Sequence, residues 1–135
     1  MYTKPEDAVE FIKQTGVDAL AVAIGTNHGQ YKSKTNVRLD LLKEINNVVD
    51  VPLVIHGGTG VKEEDIPELI NNGIRKFNVG TELLVGWTKT AKEKFGETAL
   101  DNSLRNNIMP CNETVKNIVK HKIEIFMNKN QPIRI

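Results

Sequence analysis

Three strand-like runs, each separated from the next by an amphipathic segment, constrain the fold more than any other feature of this sequence. The runs lie at residues 19–24, 52–55 and 75–79. Short apolar runs without alternation are typical of strands buried on both faces, as in parallel sheets. The resulting order is helix, strand, helix, strand, helix, strand, helix with short connections. This order predicts an α/β protein with a parallel sheet and right-handed crossovers.

The intervening segments carry apolar residues at helical spacing and have recognisable ends. Thr3 and Glu6 match a capping box at the start of the first helix, and Gly16 and Gly73 match helix stops. Thr81 can cap the fourth helix, and a last helix is predicted over residues 115–126. The predicted buried positions are Ala8, Phe11 and Ile12 in the first helix, Leu39, Leu42 and Ile45 in the second, and Ile66, Leu69 and Ile70 in the third.

Three parallel strands make an incomplete sheet. The edge of the first strand needs a partner, because all three strands are expected to be buried on both faces. The chain also opens on a helix where a preceding strand would be expected. We therefore expect it to be the end of a larger α/β protein. Residues 1–96 form the predicted partial barrel, and residues 97–135 form a helical extension of the same domain.

Composition narrows the class of protein. Hydrophobic residues make up 39% and charged residues 26% of the 135, a globular balance, and the net charge of +1 argues against nucleic acid as a partner. The one cysteine, Cys111, fits a reducing compartment. A membrane partner is not expected, because no apolar run approaches the roughly 20 residues of a membrane span and the first residues do not resemble a signal peptide. The predicted location is the cytoplasm.

Two histidines follow the first two strands at equivalent positions. The segments are GTNHG at residues 25–29 and HGGTG at residues 56–60, so His28 and His56 each stand beside glycine at a strand's C-terminal end. Neutral imidazoles on adjacent strand ends can converge on one zinc ion. His121 lies on a charged helix far along the chain, where solvated surface is its expected role. A catalytic zinc site has three protein ligands, so one is missing.

Two glycine-containing loops at the same strand ends have the character of a phosphate cradle. Glycines at residues 57, 58 and 60 lie between a strand and a helix, where backbone N–H groups and the helix end favour an anion. Thr59 adds a hydroxyl donor. The segment NVGT at residues 78–81 repeats the design one unit later. Paired loops after the last two strands are where (β/α)8 barrels often hold a substrate phosphate.

The residues around these loops resemble a known family. The segments AVAIGTNHGQY (residues 21–31), PLVIHGGTG (residues 52–60) and KFNVGTEL (residues 76–83) are similar to the metal-dependent class II ketose-bisphosphate aldolases, which include the fructose- and tagatose-bisphosphate enzymes. The resemblance implies the C-terminal half of a (β/α)8 barrel. It also implies reversible aldol cleavage of a ketose 1,6-bisphosphate to dihydroxyacetone phosphate and glyceraldehyde 3-phosphate, and a homo-oligomeric full-length enzyme.

The same resemblance implies roles for individual residues. His28 and His56 would be two of three zinc ligands, and a monovalent cation would lie near the phosphate. Family members carry the other zinc histidine and the catalytic aspartate in the barrel's first half, so no catalytic residue is expected in this chain. Gly80 occupies a place where relatives have aspartate, asparagine or alanine. The substrate-binding residues implied are Gly29, Gly57, Gly58, Thr59, Asn78, Val79, Gly80 and Thr81.

The sequence leaves two other hypotheses about the function open. The chain could be a non-catalytic phosphate-binding or interaction module that kept the loops. It could also belong to another phosphate-binding barrel, such as an isomerase or synthase, although such barrels need no histidine at these strand ends. Stoichiometric zinc binding would count against another phosphate-binding barrel. Affinity for triose phosphate without zinc binding or turnover would favour the non-catalytic module.

Overall fold

A computed structural model describes residues 2–26, 37–97 and 103–127, and the chain forms two compact units, Met1–Val79 and Gly80–Ile135. The described helices of the first unit are α1 (Pro5–Thr15), α2 (Leu39–Asn46) and α3 (Ile66–Asn71). Its strands are β1 (Leu20–Val22), β2 (Leu53–Ile55) and β3 (Ile74–Phe77). The second unit contains α4 (Thr81–Glu97) and α5 (Leu104–Phe126).

The sheet has the predicted parallel order. β2 lies between β1 and β3 and pairs parallel with both, with Leu53 opposite Leu20 on one side and Ile74 on the other. Helices α2 and α3 connect successive strands, so the C-terminal ends of all three strands lie along one edge of the sheet. The predicted α/β alternation is therefore confirmed. This edge receives the residues that follow each strand.

Only the central strand is buried on both faces. All three residues of β2 are buried, whereas Ala21 in β1 and Arg75 and Lys76 in β3 are exposed. The expectation of full burial for the outer strands is therefore wrong, because each has one neighbouring strand among the described residues. The core of the first unit consists of the largest buried side chains, which are Ile24, Leu42, Ile45, Leu53, Ile55, Ile66, Leu69, Ile74 and Val22.

Thr3 pairs with the outer edge of β1 instead of capping α1. Its N–H donates to the carbonyl of Ala23 (2.9 Å), and its Oγ1 accepts a hydrogen bond from the Ala23 N–H (2.8 Å). The N-cap residue of α1 is Lys4, which makes no side-chain capping bond. The predicted capping box is therefore wrong, because the Thr3 hydroxyl satisfies an edge amide that would otherwise be left unpaired. Thr3 thus supplies part of the hydrogen-bonding partner that the outer edge of the first strand was predicted to need.

A groove of about 460 Å³ lies beside the same edge and explains a second difference. It is lined by residues of α1 and β1, among them Phe11, Leu20 and Ala21. Phe11, predicted to be buried, is 49% exposed here, whereas Ala8 on the same helix is buried. The helical spacing correctly identifies the apolar face of α1, but the groove leaves its outer part open.

Arg38 and Asp40 form an ion pair at the start of α2 that shifts a pKa. The Arg38 Nε donates to Asp40 Oδ1 at 2.8 Å, and the guanidinium lies 5.7 Å from the centre of the Tyr2 ring. The Arg38 backbone N–H also donates to the carbonyl of Ile24 (2.9 Å). Hydrogen bonding by Arg38 lowers the pKa of the exposed Asp40 carboxyl from 3.8 to about 2.

We expect Arg38→Ala to return the Asp40 pKa toward 3.8, because the main stabiliser of the carboxylate is lost. A lowered folded-state pKa stabilises the fold above pH 3.8, and this contribution disappears as the pH falls toward 2. The effect on stability is small, because the pair is exposed to solvent. NMR titration of the Asp40 Cγ resonance in wild type and Arg38→Ala measures the shift, and Arg38→Lys should fall between them. An unchanged titration curve in Arg38→Ala would contradict the assignment.

In the second unit, α4 and α5 pack as an antiparallel helical hairpin. Glu82 contacts Lys122, Gly86 lies against Ile118, and Thr90 bonds to Thr114. Each contact is one turn further along α4 and one turn further back along α5, so the two helices run antiparallel. No described helix combines the length and apolar character that a membrane span requires.

The last helix is longer than its sequence predicts. α5 begins at Leu104, eleven residues before the predicted start, and runs through Pro110. A proline inside a helix removes one backbone hydrogen bond, so local preference disfavours a helix through this position. A contact with α4 stabilises the turn that follows Pro110, where the Trp87 Nε1 donates to Asn112 Oδ1 (3.2 Å). Cys111 lies buried in the same stretch.

Candidate functional site

The residues that follow β2 and β3 meet at the C-terminal edge of the sheet. His56 follows β2 directly and is exposed, and Asn78 follows β3 directly and is half-buried. The first of the three strand ends is described as far as Thr26. The predicted zinc ligand His28 and the predicted substrate contact Gly29 lie outside the described residues.

Asn78 links the two strand ends through three hydrogen bonds. Its backbone N–H donates to the Ile55 carbonyl (3.0 Å), and its own carbonyl accepts from the Gly58 N–H (3.1 Å). Its side-chain Nδ2 lies 3.4 Å from Nδ1 of His56. The backbone of Asn78 is thus bonded to the end of β2 and to the loop after it, and its side-chain amide is held beside the imidazole. The loop after β2 and the segment after β3 consequently form one structure.

Glycine is required at two positions of the loop after β2. Gly57 has a φ of 67°, in the left-handed region that side chains disfavour. A Cβ on Gly58 would lie 3.2 Å from both the Asn78 carbonyl oxygen and the Val79 Cγ2. Such a contact is tighter than van der Waals packing allows without a shift of the neighbouring loop. The glycines therefore permit the turn and the close approach of the two loops.

The backbone amides of this loop are partly committed. The Gly58 N–H donates to Asn78, and the Gly60 N–H donates to the carbonyl of Gly57 (3.0 Å). The Gly58 N–H is therefore already bonded, and what Gly58 provides is the close approach of this loop to Asn78 and Val79. Thr59 lies half-buried between these two glycines.

The loop after β2 does not lead directly into an α-helix. Residues Gly58–Gly60 and Glu63–Asp65 form two short 3₁₀ turns, and α3 begins only at Ile66. The prediction that a helix N-terminus adjoins the glycine loop is therefore wrong. The glycines of this loop favour short turns, and Pro67 in the first turn of α3 favours a helix that starts only there. The acidic residues at 63–65 lie in the second of these turns.

The segment after β3 does lead directly into a long helix. Gly80 precedes α4, and its carbonyl accepts hydrogen bonds from the N–H groups of Leu83 (3.1 Å) and Leu84 (3.2 Å). A Cβ on Gly80 would have no heavy atom within 4 Å, so the position has room for a side chain. This agrees with the prediction that the position is permissive. Thr81 is the first helical residue rather than the cap that was predicted.

The donor chemistry of this edge fits a metal ion. His56 offers an exposed imidazole at a strand end, and the hydroxyl oxygen of Thr26 is buried without a hydrogen-bond partner among the described residues. Within residues 2–26, 37–97 and 103–127, no three His, Cys, Asp or Glu side chains cluster as a complete metal site. His121 is exposed on α5, as predicted for surface. The described residues thus offer one exposed imidazole donor at this edge.

Sequence reasoning missed two features. The contact between Asn78 and His56 was not anticipated, because the residues are 22 positions apart and only the parallel register of β2 and β3 brings them together. The ion pair between Glu82 and Lys122 joins residues 40 positions apart, and no spacing rule detects it. The three repeated strand-end motifs were the only signal that pointed to this edge.

Comparisons with known proteins give a family match and structural matches. The family model described as fructose-bisphosphate aldolase class-II matches residues 1–131. The crystal structure of the YdjI aldolase from Escherichia coli K12 is 37% identical, with a TM-score of 0.82, and the match covers 93% of this chain and 46% of that one. A structure from Coccidioides immitis that carries the provisional name of a fructose-1,6-biphosphate aldolase is 25% identical, with a TM-score of 0.83 and coverage of 96% and 45%.

A more distant match shows the fold alone. Fructose-bisphosphate aldolase (Fba) from Campylobacter jejuni is 20% identical, with a TM-score of 0.74 over 93% of this chain and 45% of that one. The chain therefore spans slightly less than half the length of the structures that it matches. The predicted α/β fold is confirmed.

Proposed function

Because this chain belongs to the class II fructose-bisphosphate aldolase family, we propose that it forms the part of a zinc-dependent aldolase that carries two zinc ligands and the phosphate loops. The reaction is the reversible aldol cleavage of a ketose 1,6-bisphosphate, fructose or tagatose, to dihydroxyacetone phosphate and glyceraldehyde 3-phosphate. The substrate partner is thus a sugar phosphate. The full-length enzyme is proposed to be a cytoplasmic homo-oligomer.

The observation that carries the proposal is the joining of two strand ends by Asn78. The imidazole of His56, the glycine loop and the amide of Asn78 are held together by hydrogen bonds of 3.0–3.4 Å. Chemistry on a small triose phosphate needs a cation site and an anion site at a fixed separation. A histidine and a glycine loop locked to the same asparagine provide such a fixed separation.

His28 and His56 are the proposed zinc ligands in this chain. When bound, zinc supplies Lewis acidity that stabilises negative charge developing on the oxygens of the triose. His56 is delivered by the fully buried strand β2, so its backbone position is rigid. The side chain of Asn78 stands beside its Nδ1 and is placed to donate a hydrogen bond to a bound triose. A monovalent cation near the phosphate is a further proposed cofactor.

The proposed phosphate contacts come from the loops at residues 57–59 and 78–81, and Gly29 is a proposed contact of bound dihydroxyacetone phosphate. Thr59 and Thr81 contribute hydroxyl donors. Gly57 permits the left-handed turn of the first loop, and Gly58 permits its close approach to the second, so that both loops can face one phosphate. Gly80 brings no capping side chain to the first turn of α4, where the Leu83 and Leu84 N–H groups donate to the Gly80 carbonyl, so the Thr81 N–H before them is the one proposed to face the phosphate. These interactions provide binding energy that orients the triose.

The third zinc histidine and the catalytic aspartate are proposed to lie in the part of the relatives that this chain does not span. About 45% of each matched structure is covered, so a complete active site needs residues from outside these 135. The alternative is a non-catalytic phosphate-binding module that keeps the two loops. The two proposals differ in zinc binding, which only the aldolase requires.

We expect the isolated 135-residue chain to bind zinc weakly and to cleave neither fructose nor tagatose bisphosphate. Two histidines leave zinc under-coordinated, and no acid or base is positioned at the substrate. Competition with a chelating dye measures the zinc affinity, with His56→Ala as the comparison, and a coupled assay for dihydroxyacetone phosphate measures turnover. Full-rate cleavage by the isolated chain would refute this prediction. Triose phosphate binding with no zinc binding would favour the non-catalytic module.

A further inference from the structure

Lys122 is buried at the end of the α4–α5 hairpin that adjoins the proposed phosphate segment, residues 78–81. The Lys122 side chain is 9% exposed, and its Nζ lies 3.1 Å from Oε2 of Glu82. The Glu82 side chain is 30% exposed, but its Oε2 is itself buried. The pair is therefore a largely desolvated ion pair rather than a surface contact.

Packing alone does not account for a charge pair at this level of the hairpin. One and two turns further along, the helices meet through Gly86 against Ile118 and through Thr90 bonded to Thr114. The contacts described at these two levels join uncharged residues. Removing two charges from water is costly, and apolar residues of similar volume often stabilise such a site equally well. A role for the charges themselves is therefore indicated.

Glu82 is two residues from Gly80, in the first turn of α4. A carboxylate is favourable at a helix N-terminus, because it interacts with the positive end of the helix dipole. A phosphate held by the segment at 78–81 would use the same dipole. Two anions at one helix end repel each other, and the repulsion is strong where water is excluded. The buried position of the Glu82 Oε2 makes this conflict unavoidable without a neutralising group.

We propose that Lys122 is a positioning residue for the phosphate segment, which neutralises the Glu82 carboxylate so that the first turn of α4 accepts a phosphate. The inference rests on the proposed function, because it takes residues 78–81 as a phosphate contact. It assigns a role in phosphate binding to Lys122, which lies 40 positions after Glu82 in the sequence and does not contact the phosphate. Glu82 keeps the helix start in place, and Lys122 keeps that carboxylate from excluding the substrate anion.

The test is a phosphate titration of the full 135-residue chain followed by ¹H–¹⁵N NMR, with inorganic phosphate and glycerol 3-phosphate as the probes. The shifts of the Gly80 and Thr81 amides report the segment after β3. We expect Lys122→Met to weaken binding about tenfold, as an uncompensated nearby charge would. Lys122→Arg retains the charge and should bind within threefold of wild type. The double variant Glu82→Gln with Lys122→Met should also recover to within threefold, because no carboxylate remains to be neutralised.

The rescue separates an electrostatic role from a structural one. If Lys122 only packs the hairpin, the double variant will bind as weakly as Lys122→Met, and the inference is overturned. Equal affinity in wild type and Lys122→Met overturns it as well. Phosphate shifts at Gly57 and Thr59 with none at Gly80 and Thr81 overturn the inference alone. A wild-type chain with no shift in either loop overturns the proposed function together with it. Should Lys122→Met fail to fold, Lys122→Arg and the double variant still decide between these outcomes.

Discussion

Replacing Gly73 with alanine is expected to destabilise the first unit by about 3 kcal/mol or more, through backbone strain combined with a clash. Gly73 follows α3 with a φ of 98°, a conformation that residues with a Cβ rarely adopt. A Cβ there would lie 1.8 Å from Oδ1 of Asn46, at the end of α2. The Gly73 carbonyl also accepts the N–H of Leu53 at the start of β2, so the backbone cannot move away without disturbing the central strand.

Gly16 provides the matched control. It ends α1 with a φ of 64°, and a Cβ on it would meet nothing within 4 Å. Gly16→Ala should therefore cost only the conformational strain, about 1 kcal/mol. Adding Asn46→Ala to Gly73→Ala should recover the part of the loss that the clash causes, but not the strain. Urea unfolding followed by circular dichroism gives the free energies of unfolding. Equal losses for Gly16→Ala and Gly73→Ala would show that Asn46 moves aside at no cost.

These two glycines also show how far the sequence predicts the fold. Both were identified as helix stops, because glycine after an amphipathic run is a local signal. The alternation of helices and parallel strands was predictable for the same reason. The contact of Gly73 with Asn46 was not, since it depends on how α2 and α3 pack against the sheet. Local patterns therefore predict the elements and their order, and tertiary contacts decide what each position tolerates.

The failures of prediction share one physical cause. Thr3 matches a helix cap by spacing, yet it bonds to the β1 edge at Ala23, because an unpaired strand amide competes for the same hydroxyl. α5 extends eleven residues before its predicted start, because packing against α4 offsets the bond lost at Pro110. In each case a contact between residues distant in sequence outweighs a local preference. Among the contacts between residues distant in sequence, only the parallel pairing of the strands was predicted from the sequence.

For the site, the sequence predicted which strand ends carry chemistry but not how they are joined. His56 and Asn78 were both named, the first as a zinc ligand and the second as a substrate contact. Their side chains lie together because β2 and β3 end at the same level of the sheet. The ligand role of His28 stays a prediction, because that residue lies outside the described residues. The same holds for the substrate contact proposed for Gly29.

The second large effect is expected for His56→Ala in a chimera that restores a complete barrel. The part of YdjI that its match with this chain leaves uncovered would be joined to these 135 residues, which are 37% identical to the region that they replace. Loss of one zinc ligand should reduce turnover about 1,000-fold or more, because the Lewis acid contributes several kcal/mol to the transition state. Zinc content, measured by mass spectrometry, should fall well below one ion per chain. His121→Ala is the matched control, because it removes an exposed histidine on α5 and should change neither quantity.

The choice of assay decides which step is tested. Exchange of the hydroxymethyl proton of dihydroxyacetone phosphate with solvent, followed by NMR, needs zinc and the phosphate loops but no aldehyde partner. Cleavage of fructose and tagatose bisphosphate then tests the second half of the substrate separately. A chimera that exchanges the proton but cleaves neither sugar would retain the aldolase mechanism and place the specificity elsewhere. Zinc at one ion per chain in both wild type and His56→Ala would remove His56 from the ligand set.

A chimera that folds, binds phosphate and lacks both zinc and proton exchange would favour the non-catalytic module. That outcome would also bear on Asn78, because its bonds to Ile55 and Gly58 would then serve the glycine loop alone. The aldolase proposal instead requires Asn78 to hold the loop and face the imidazole together. Asn78→Ala in the active chimera should consequently impair proton exchange more than phosphate affinity. The backbone bonds that hold the glycine loop survive the substitution, whereas the side chain beside the imidazole is lost.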